Sequence, residues 1–358
     1  MLPQTPREKA DDMRKFGVAG LGLIGGSIAS ALKKQGYRVV GVENDPDVSA
    51  FALRNGIVDE IGGIEALRGA ETVFVCVPVG KTRETVEKIA AVVGNETLVT
   101  DVASVKGEMK GVGGRFVGGH PMAGTEKSGI AAARAHLFEN AFYAIVPYEN
   151  TSEADVKYIT DLVKSFGAKP VIMTADEHDG RVSEVSHLPH IIAYALAGYA
   201  LKADGFAGTG FLDTTRIAAS DPGFWTEVAF LNRENLLEDM RGYEAEFNKY
   251  LAALDNGDRE GLKALIAAAK EKREALAQKR VYQNEYTLDL DVRDELGAIA
   301  RVSKVLADNG VNISGIQIIN SREGVGGALR IAIRSEAEYE RARALLCDNE
   351  TEDENEIS

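Results

Sequence analysis

From Lys15 to about Thr174 the chain alternates short, continuous apolar runs with stretches whose apolar residues recur at helical spacing. The runs are Phe16–Ala19, Arg38–Val42, Thr72–Val77, Thr97–Thr100, Arg115–Gly118, Ala141–Val146 and Pro170–Met173. A strand buried on both faces needs no polar side, so unbroken runs separated by helical segments predict an α/β domain built on a mostly parallel, doubly wound sheet of Rossmann type. Helices then cover both faces. Beyond about Asp179 the runs stop, and Ser183–Lys202, Pro222–Leu254 and Arg259–Lys279 predict an all-α domain. Asp221 is placed to cap a helix that Pro222 opens, and Asp258 to cap the next. At Tyr286 the pattern changes again: Tyr286–Val292, helical Gly297–Gly310, Val311–Ile319, Gly327–Ile333 and a closing helix from Glu336 give the βαββα order of a small α+β domain, ferredoxin-like. The expected division is 15–178, 179–281 and 284–348, followed by an acidic tail, 349–358, without apolar periodicity and expected to be disordered.

A chain of 358 residues exceeds one ordinary core, in keeping with this division. Long apolar helices in so small a set do not bury all their faces alone, which predicts pairing with a second copy as a homodimer. The formal charge of -14 argues against a nucleic-acid partner or an acidic membrane surface, and leaves room for a local cationic pocket that takes an anionic small molecule. Cys76 and Cys347 are the only cysteines, with neither a disulfide framework nor metal-ligand spacing, so a reducing, cytoplasmic setting is expected. The first fifteen residues carry charges and two prolines where a signal peptide needs an apolar core.

Chemistry enters at Gly20-Leu-Gly22-Leu23-Ile24-Gly25, which follows the first strand and opens a helix. Glycines here allow a tight turn, close approach of the backbone to a pyrophosphate, and close helix-on-strand packing. Glu43 ends the next strand about twenty residues on, where an acid bonds ribose hydroxyls and repels a 2′-phosphate, so NAD is the expected cofactor; with Asn44 and Asp45 following, the acidic position shifts by a residue or two in the alternative reading. Cys76-Val77-Pro78 closes the Thr72 run, at the strand end where such sheets bind ligands; Cys76 itself reads as a small buried hydrophobe. Asp101-Val-Ala-Ser104-Val-Lys106 leaves the next strand at the same rim.

Of five histidines, His120, His187 and His190 lie in unusual surroundings, whereas His136 and His178 read as incidental. His187 and His190, three positions apart, share one helix face, but no third ligand at metal spacing accompanies them. Pro189 between them marks a first turn or disturbs the helix. Arg216, in Asp213-Thr-Thr-Arg216, has the planar fork that suits a carboxylate; an ion pair with Asp213 is the other reading. Trp225, the single tryptophan, reads as a core or interface anchor.

Taken in order, Gly20–Gly25, Asp101–Lys106, Gly119-His-Pro-Met-Ala-Gly-Thr-Glu-Lys-Ser-Gly129, Ser186-His-Leu-Pro-His190 and Asp213-Thr-Thr-Arg216-Ile-Ala resemble the prephenate dehydrogenase family. Tyr286–Cys347 resembles an ACT domain, a regulatory module that binds amino acids, although Leu296 stands where such domains usually have proline. The resemblance implies NAD-dependent oxidative decarboxylation of prephenate to 4-hydroxyphenylpyruvate in tyrosine formation. It implies His120 as acceptor of the ring hydroxyl proton, Ser104 as an orienting hydroxyl, Arg216 as the clamp on the ring carboxylate, and His190 at the substrate's other polar end. Thr125, Glu126, His187 and Asp213 then shape the pocket. Tyrosine is the expected effector, near Asp294, Gly297, Asn312 and Ile313. Arogenate dehydrogenation is the nearest alternative, then another hydroxyacid dehydrogenase, then a non-catalytic sensor of NAD and an amino acid.

Overall fold

The computed structural model describes residues 14–123, 128–200, 206–281, 286–292, 295–322 and 326–347. The chain divides into two compact units, 1–245 and 246–358. In the first, eight strands form one sheet: β1 (Lys15–Ala19), β2 (Arg38–Val42), β3 (Glu60–Ile61), β4 (Thr72–Val75), β5 (Leu98–Asp101), β6 (Phe116–Pro121), β7 (Phe142–Val146) and β8 (Lys169–Ile172). Their order is β3-β2-β1-β4-β5-β6-β7-β8, and all neighbours are parallel except β6 and β7. Seven strands coincide with the apolar runs. The eighth, β3, is two residues long and too short to mark itself by composition.

Helices α1 (Leu23–Lys34), α2 (Pro46–Arg54), α3 (Thr82–Val93) and α4 (Glu153–Ser165) are threaded between these strands. Alternate strand residues serve opposite faces. Phe16, Val18, Val39 and Phe74 join one buried cluster with Ile28 and Leu32 of α1. Ala19, Val40, Val73 and Val75 join another with Val86 and Ile89 of α3. The continuous apolar character of the runs follows from this double burial.

The remaining helices of this unit are α5 (Ala175–Val182), α6 (Leu188–Tyr199), α7 (Thr209–Thr215), α8 (Pro222–Leu231) and α9 (Arg233–Asp255), in which the division between units falls. The carboxylate of Asp221 accepts the N–H of Phe224 at 2.7 Å, the cap expected of it. Two details differ from the sequence pattern. The stretch from Pro222 to Leu254 is broken at Asn232, and the one from Ser183 begins as a π turn, Ser183–His187. A π turn widens the helix just ahead of Pro189, which lacks an N–H and crowds the carbonyl four residues back. The helical region leaves Tyr199, Phe206 and Phe230 at 80%, 91% and 71% exposed. Among the described residues no helix is long and apolar enough to cross a membrane.

In the second unit α10 (Arg259–Val281) is capped by Asp258, whose Oδ1 accepts from Gly261 at 2.9 Å. Then β9 (Tyr286–Val292), α11 (Ala298–Asp308), β10 (Gly315–Arg322), β11 (Gly326–Ile333) and α12 (Glu336–Cys347) realise the βαββα order as an antiparallel sheet β10-β11-β9. Leu288 and Leu290 of β9 stand opposite Ile331 and Leu329 of β11, and all four pack with Leu306 and Ala342 of the two helices. The tail 349–358 lies outside the described residues.

Candidate functional site

The chain leaves β1 toward β2 on one side and returns as β4 on the other, so a crevice opens beyond the carboxyl ends of these neighbours. The glycine loop sits there. Gly20 has φ +89°, and a Cβ on it would lie 2.5 Å from the Cys76 carbonyl oxygen, beside the Cys76–Val77 peptide that leads to Pro78. A Cβ on Gly25 would come within 1.9 Å of the Gly20 oxygen, so helix and loop touch backbone to backbone. Gly22 is different: a Cβ there meets nothing within 4 Å. Glycine at this position is not demanded by the fold but leaves space at the N-terminus of α1, where no side chain caps the amides of the first turn, Leu23 and Ile24 among them.

Glu43 closes the cradle: its Oε2 accepts from Leu21 N at 2.8 Å and its Oε1 from Asn44 N and Asp45 N at 2.7 and 3.0 Å. Asp45, the alternative acid, caps α2 through the amides of Asp47 and Val48. The free space, the uncapped amides and the acid at the tip of β2 together fit a dinucleotide.

His120 lies one residue before the end of β6, and its surroundings reverse the reading of His178 as incidental. His120 Nδ1 lies 2.8 Å from His178 Nε2, and His178 Nδ1 lies 2.7 Å from Asp179 Oδ1. A carboxylate only accepts, so His178 carries its proton on Nδ1, and its Nε2 accepts from His120 Nδ1–H. His120 Nε2 is thereby left with a bare lone pair. The surrounding protein strips solvent from His120 and holds its pKa well below the ordinary value, helped by the nearby His178, Lys106 and His187. Neutral His120 with a free Nε2 is what a general base requires.

The loop after β5 braces this arrangement from both ends. Lys106 and Asp101 form an ion pair with both side chains fully buried; burial drags the lysine pKa down while Asp101 holds it up. Asp101 also accepts from the amides of Ala103 at 2.9 Å and Gly119 at 3.1 Å, the latter adjoining His120. Asp179 accepts from the amides of Lys106 and Gly107 at 2.8 and 2.7 Å. Ser104, half-buried, lies in this loop between Ala103 and Val105.

His187 and His190 belong to a second cluster, around Trp225. Asn232 donates its amide to His187 Nδ1 at 3.1 Å and to the Asp179 carbonyl at 2.8 Å, so the helix break at Asn232 ties α8 to α5. Burial pushes the His187 pKa down to about 4. His190 Nδ1 lies 2.9 Å from the Ser186 carbonyl, and its ring stacks on Trp225 with centroids 3.4 Å apart. Trp225 packs against Val79, Ala103 and Val105, on the loops that carry Pro78 and Ser104. Among the described residues no group of three or more His, Cys, Asp or Glu is placed to hold a metal ion.

Arg216, in a 3₁₀ turn packed on α6, and Asp213, on α7, stand exposed beside this cluster. Thr125, Glu126 and Asp294 lie outside the described residues. In the second unit Gly297 (φ +87°) opens α11 without a side-chain cap, the amide of Asn312 meets Glu338 at 3.3 Å, and Ile313 packs on the core. Sequence reasoning missed His178, Asp179 and Asn232; the His-Asp dipeptide stands close before the Ser186–His190 string, but no spacing marks it.

A family model described as prephenate dehydrogenase, nucleotide-binding domain, matches residues 28–172; the family's dimerization domain matches 174–268, and an ACT domain 286–350. The chain is 36% identical over 350 residues to a prephenate dehydrogenase of Bacillus subtilis, covering 92% of this chain and 94% of that protein. It is 32% identical to one of Lactococcus lactis, with coverage of 93% and 98%. Among solved structures, prephenate dehydrogenase from Aquifex aeolicus in complex with hydroxyphenyl propionate and NAD+ superposes with a TM-score of 0.70 at 31% identity, over 74% of this chain and 99% of that one. Arogenate dehydrogenase from Synechocystis gives 0.66 at 31% identity, over 73% and 99%.

Proposed function

Because the chain belongs to the prephenate dehydrogenase family, and because its His120 is held neutral with a free Nε2, we propose that it converts prephenate and NAD to 4-hydroxyphenylpyruvate, carbon dioxide and NADH. The histidine geometry is the observation that carries this reading. The dinucleotide, when bound, supplies the hydride acceptor. Gly22 and the first-turn amides of α1 hold its pyrophosphate, Val77 and Pro78 line its path, and the negative Glu43 favours ribose hydroxyls over a 2′-phosphate.

His120 Nε2 takes the proton of the ring hydroxyl at C4 while hydride leaves the same carbon, and Ser104 orients that hydroxyl. The bond to the ring carboxylate then breaks, its electrons complete the aromatic ring and pass to the C4 oxygen, which takes back the proton held by His120, and carbon dioxide departs; aromatisation makes the step effectively irreversible. Arg216 holds the ring carboxylate until then with its planar fork. His190 addresses the far end of the substrate, with His187 and Asp213, and with Thr125 and Glu126 of the string that follows His120, shaping the pocket. Asp179, through His178, positions the base.

The exposed Tyr199, Phe206 and Phe230 support a homodimer formed through the helical domain, within the division 15–178, 179–281 and 284–348. Tyrosine binding near Asp294, Gly297, Asn312 and Ile313 then lowers activity. Two cysteines without a framework accord with the cytoplasm. Arogenate is the second reading, supported by the likeness to the arogenate dehydrogenase from Synechocystis.

The test is NADH appearance with prephenate or arogenate, repeated with NADP and with tyrosine. Turnover on prephenate with NAD is expected; silence on both substrates removes the reading. A chain ending at Asn284 is expected to lose tyrosine sensitivity, and retained sensitivity removes the ACT domain as sensor.

A further inference from the structure

His120 and His178 are imidazoles of the same ordinary pKa, about 6.5, joined nitrogen to nitrogen at 2.8 Å; the role inferred for the pair rests on the functional reading above. Their planes lie 66° apart with centroids at 5.1 Å, so the rings meet at their nitrogens and do not stack. Their surroundings are unequal. His178 Nδ1 faces Asp179 Oδ1 at 2.7 Å, and the two oxygens of Asp179 are held by the amides of Lys106 and Gly107 at 2.8 and 2.7 Å. Burial disfavours charge on both rings. Among the described residues the charges acting on His120, from His178, Lys106 and His187, all oppose a cation there, whereas Asp179 and Asp101 favour one on His178 against Lys106.

A proton taken up by His120 Nε2 makes that ring cationic where a cation is least favoured. One hop relieves this: the N–H bond at His120 Nδ1 breaks, its electron pair stays on that nitrogen, and the proton forms a new N–H bond at His178 Nε2. We propose that His178 is a positioning residue that also carries charge: as His120 Nε2 takes the hydroxyl proton from the substrate, His120 hands its Nδ1 proton to His178, and the positive charge rests beside Asp179. The proton goes no further, because a carboxylate holds one far less tightly than an imidazole. When the C4 oxygen takes back its proton from His120 Nε2, the hop reverses and the pair ends as it began. Nothing is oxidised or reduced in these transfers; the hydride passes to NAD alone.

The two rings therefore titrate as one unit. A proton taken from solvent settles on His178, whose Nε2–H then faces His120 Nδ1 and drives the remaining His120 proton to Nε2, so that protonating the neighbour silences the base. On the elements packed against α5 and β6 the other titratable groups are Asp101 and Lys106, paired on the β5 loop; Glu108 on the 3₁₀ turn Gly107–Met109; Tyr143 on β7; Asp155 on α4, paired with Arg115; and Glu184 and His187 on the π turn. Asp176, Glu177 and Arg181 share α5 itself and stand exposed, as do Glu108 and Glu184. Burial holds Tyr143 far above the neutral range and His187 at about 4. The acid limb of activity is thus set by His178, whose pKa burial lowers and Asp179 supports, and not by the lower value of His120.

The experiment is kcat/KM for prephenate from about pH 4.5 to about pH 8, with full-length protein and saturating NAD, in the parent and in His178→Gln. The glutamine oxygen accepts from His120 Nδ1–H, which keeps the tautomer, but an amide takes up no proton, which ends the relay. We expect kcat to fall at least about tenfold with KM within about twofold, and the midpoint of the acid limb to move down by at least about one pH unit. Parent-like kcat, or a lowered kcat with an unmoved limb, overturns the relay; the second result assigns His178 to positioning alone. Should the variant not fold, nitrogen NMR of the histidine rings in the parent decides. On acidification His178 should gain its second proton as the His120 proton moves from Nδ1 to Nε2, and a cation formed first on His120 overturns the proposal. Absence of turnover in the parent removes the functional reading, a result distinct from turnover with an unmoved limb.

Discussion

Two alanine substitutions in the glycine loop, three residues apart, are expected to act in opposite ways. At Gly25 a Cβ falls 1.9 Å from the Gly20 carbonyl oxygen and 3.0 Å from the Cys76 Cβ, with ordinary contact beginning near 3.4 Å. Relief requires α1 to move about 1.5 Å from backbone that is anchored by Gly20 N on Val42 O at 2.8 Å and Cys76 N on Ala19 O at 2.7 Å. Neither is the tip of a flexible side chain, so the upper part of the usual overpacking range applies, about 3 kcal/mol. At about 2–4 °C per kcal/mol for a unit of this size, Gly25→Ala should lower Tm by roughly 6–12 °C. At Gly22 the backbone is extended, φ -74° and ψ -155°, open to any residue, and the new methyl meets nothing within 4 Å.

Gly22→Ala should therefore leave Tm within about 1 °C of the parent while the methyl occupies the space kept for the pyrophosphate, weakening NAD by at least about tenfold. Calorimetry reads the first effect; quenching of Trp225, the single tryptophan, on titration with NAD reads the second. Unchanged NAD affinity in Gly22→Ala refutes the assignment of that space. Parent-like Tm in Gly25→Ala refutes the packing argument.

His120→Asn is expected to lower kcat at least about 100-fold, the lower bound for a general base, with NAD affinity kept; near-parent kcat removes His120 from that role. Arg216→Ala should act mainly on the KM for prephenate, since a carboxylate clamp works in the ground state too, and an unchanged KM assigns the guanidinium to structure instead. Stability should fall on acidification: His178 and His187, both lowered and nearly fully buried, take up protons on unfolding, so their contribution is complete above pH 6.5 and is lost toward the folded values, about 4 for His187. Urea unfolding from about pH 7 down to about pH 4 should show a slope smaller by about 1.4 kcal/mol per pH unit in His187→Gln; an unchanged slope contradicts the assignment.

Local chemistry was legible in the chain itself. Gly20 and Gly25 announce the loop because no side chain fits those backbone approaches, and the inner strands are visible because burial on both faces leaves them few polar positions, whereas the edge strand β8 has Lys169 and Ile172 exposed. Asp221 and Asp258 are readable caps because a cap reaches only three residues ahead. The π turn was legible only in part, as the disturbance that Pro189 requires.

The proton arrangement was not legible. His178 lies 58 positions from His120, and Asn232 lies 45 from His187. Which ring nitrogen carries the proton is set by whatever donor or acceptor the fold brings opposite it, and no periodicity encodes that. Sequence alone determined the architecture, the glycine cradle and the identity of His120 as a candidate. Only the packing of β6, the β5 loop and α5 decided that His120 keeps its proton on Nδ1 and a bare Nε2, because a tautomer is a property of neighbours and not of a residue.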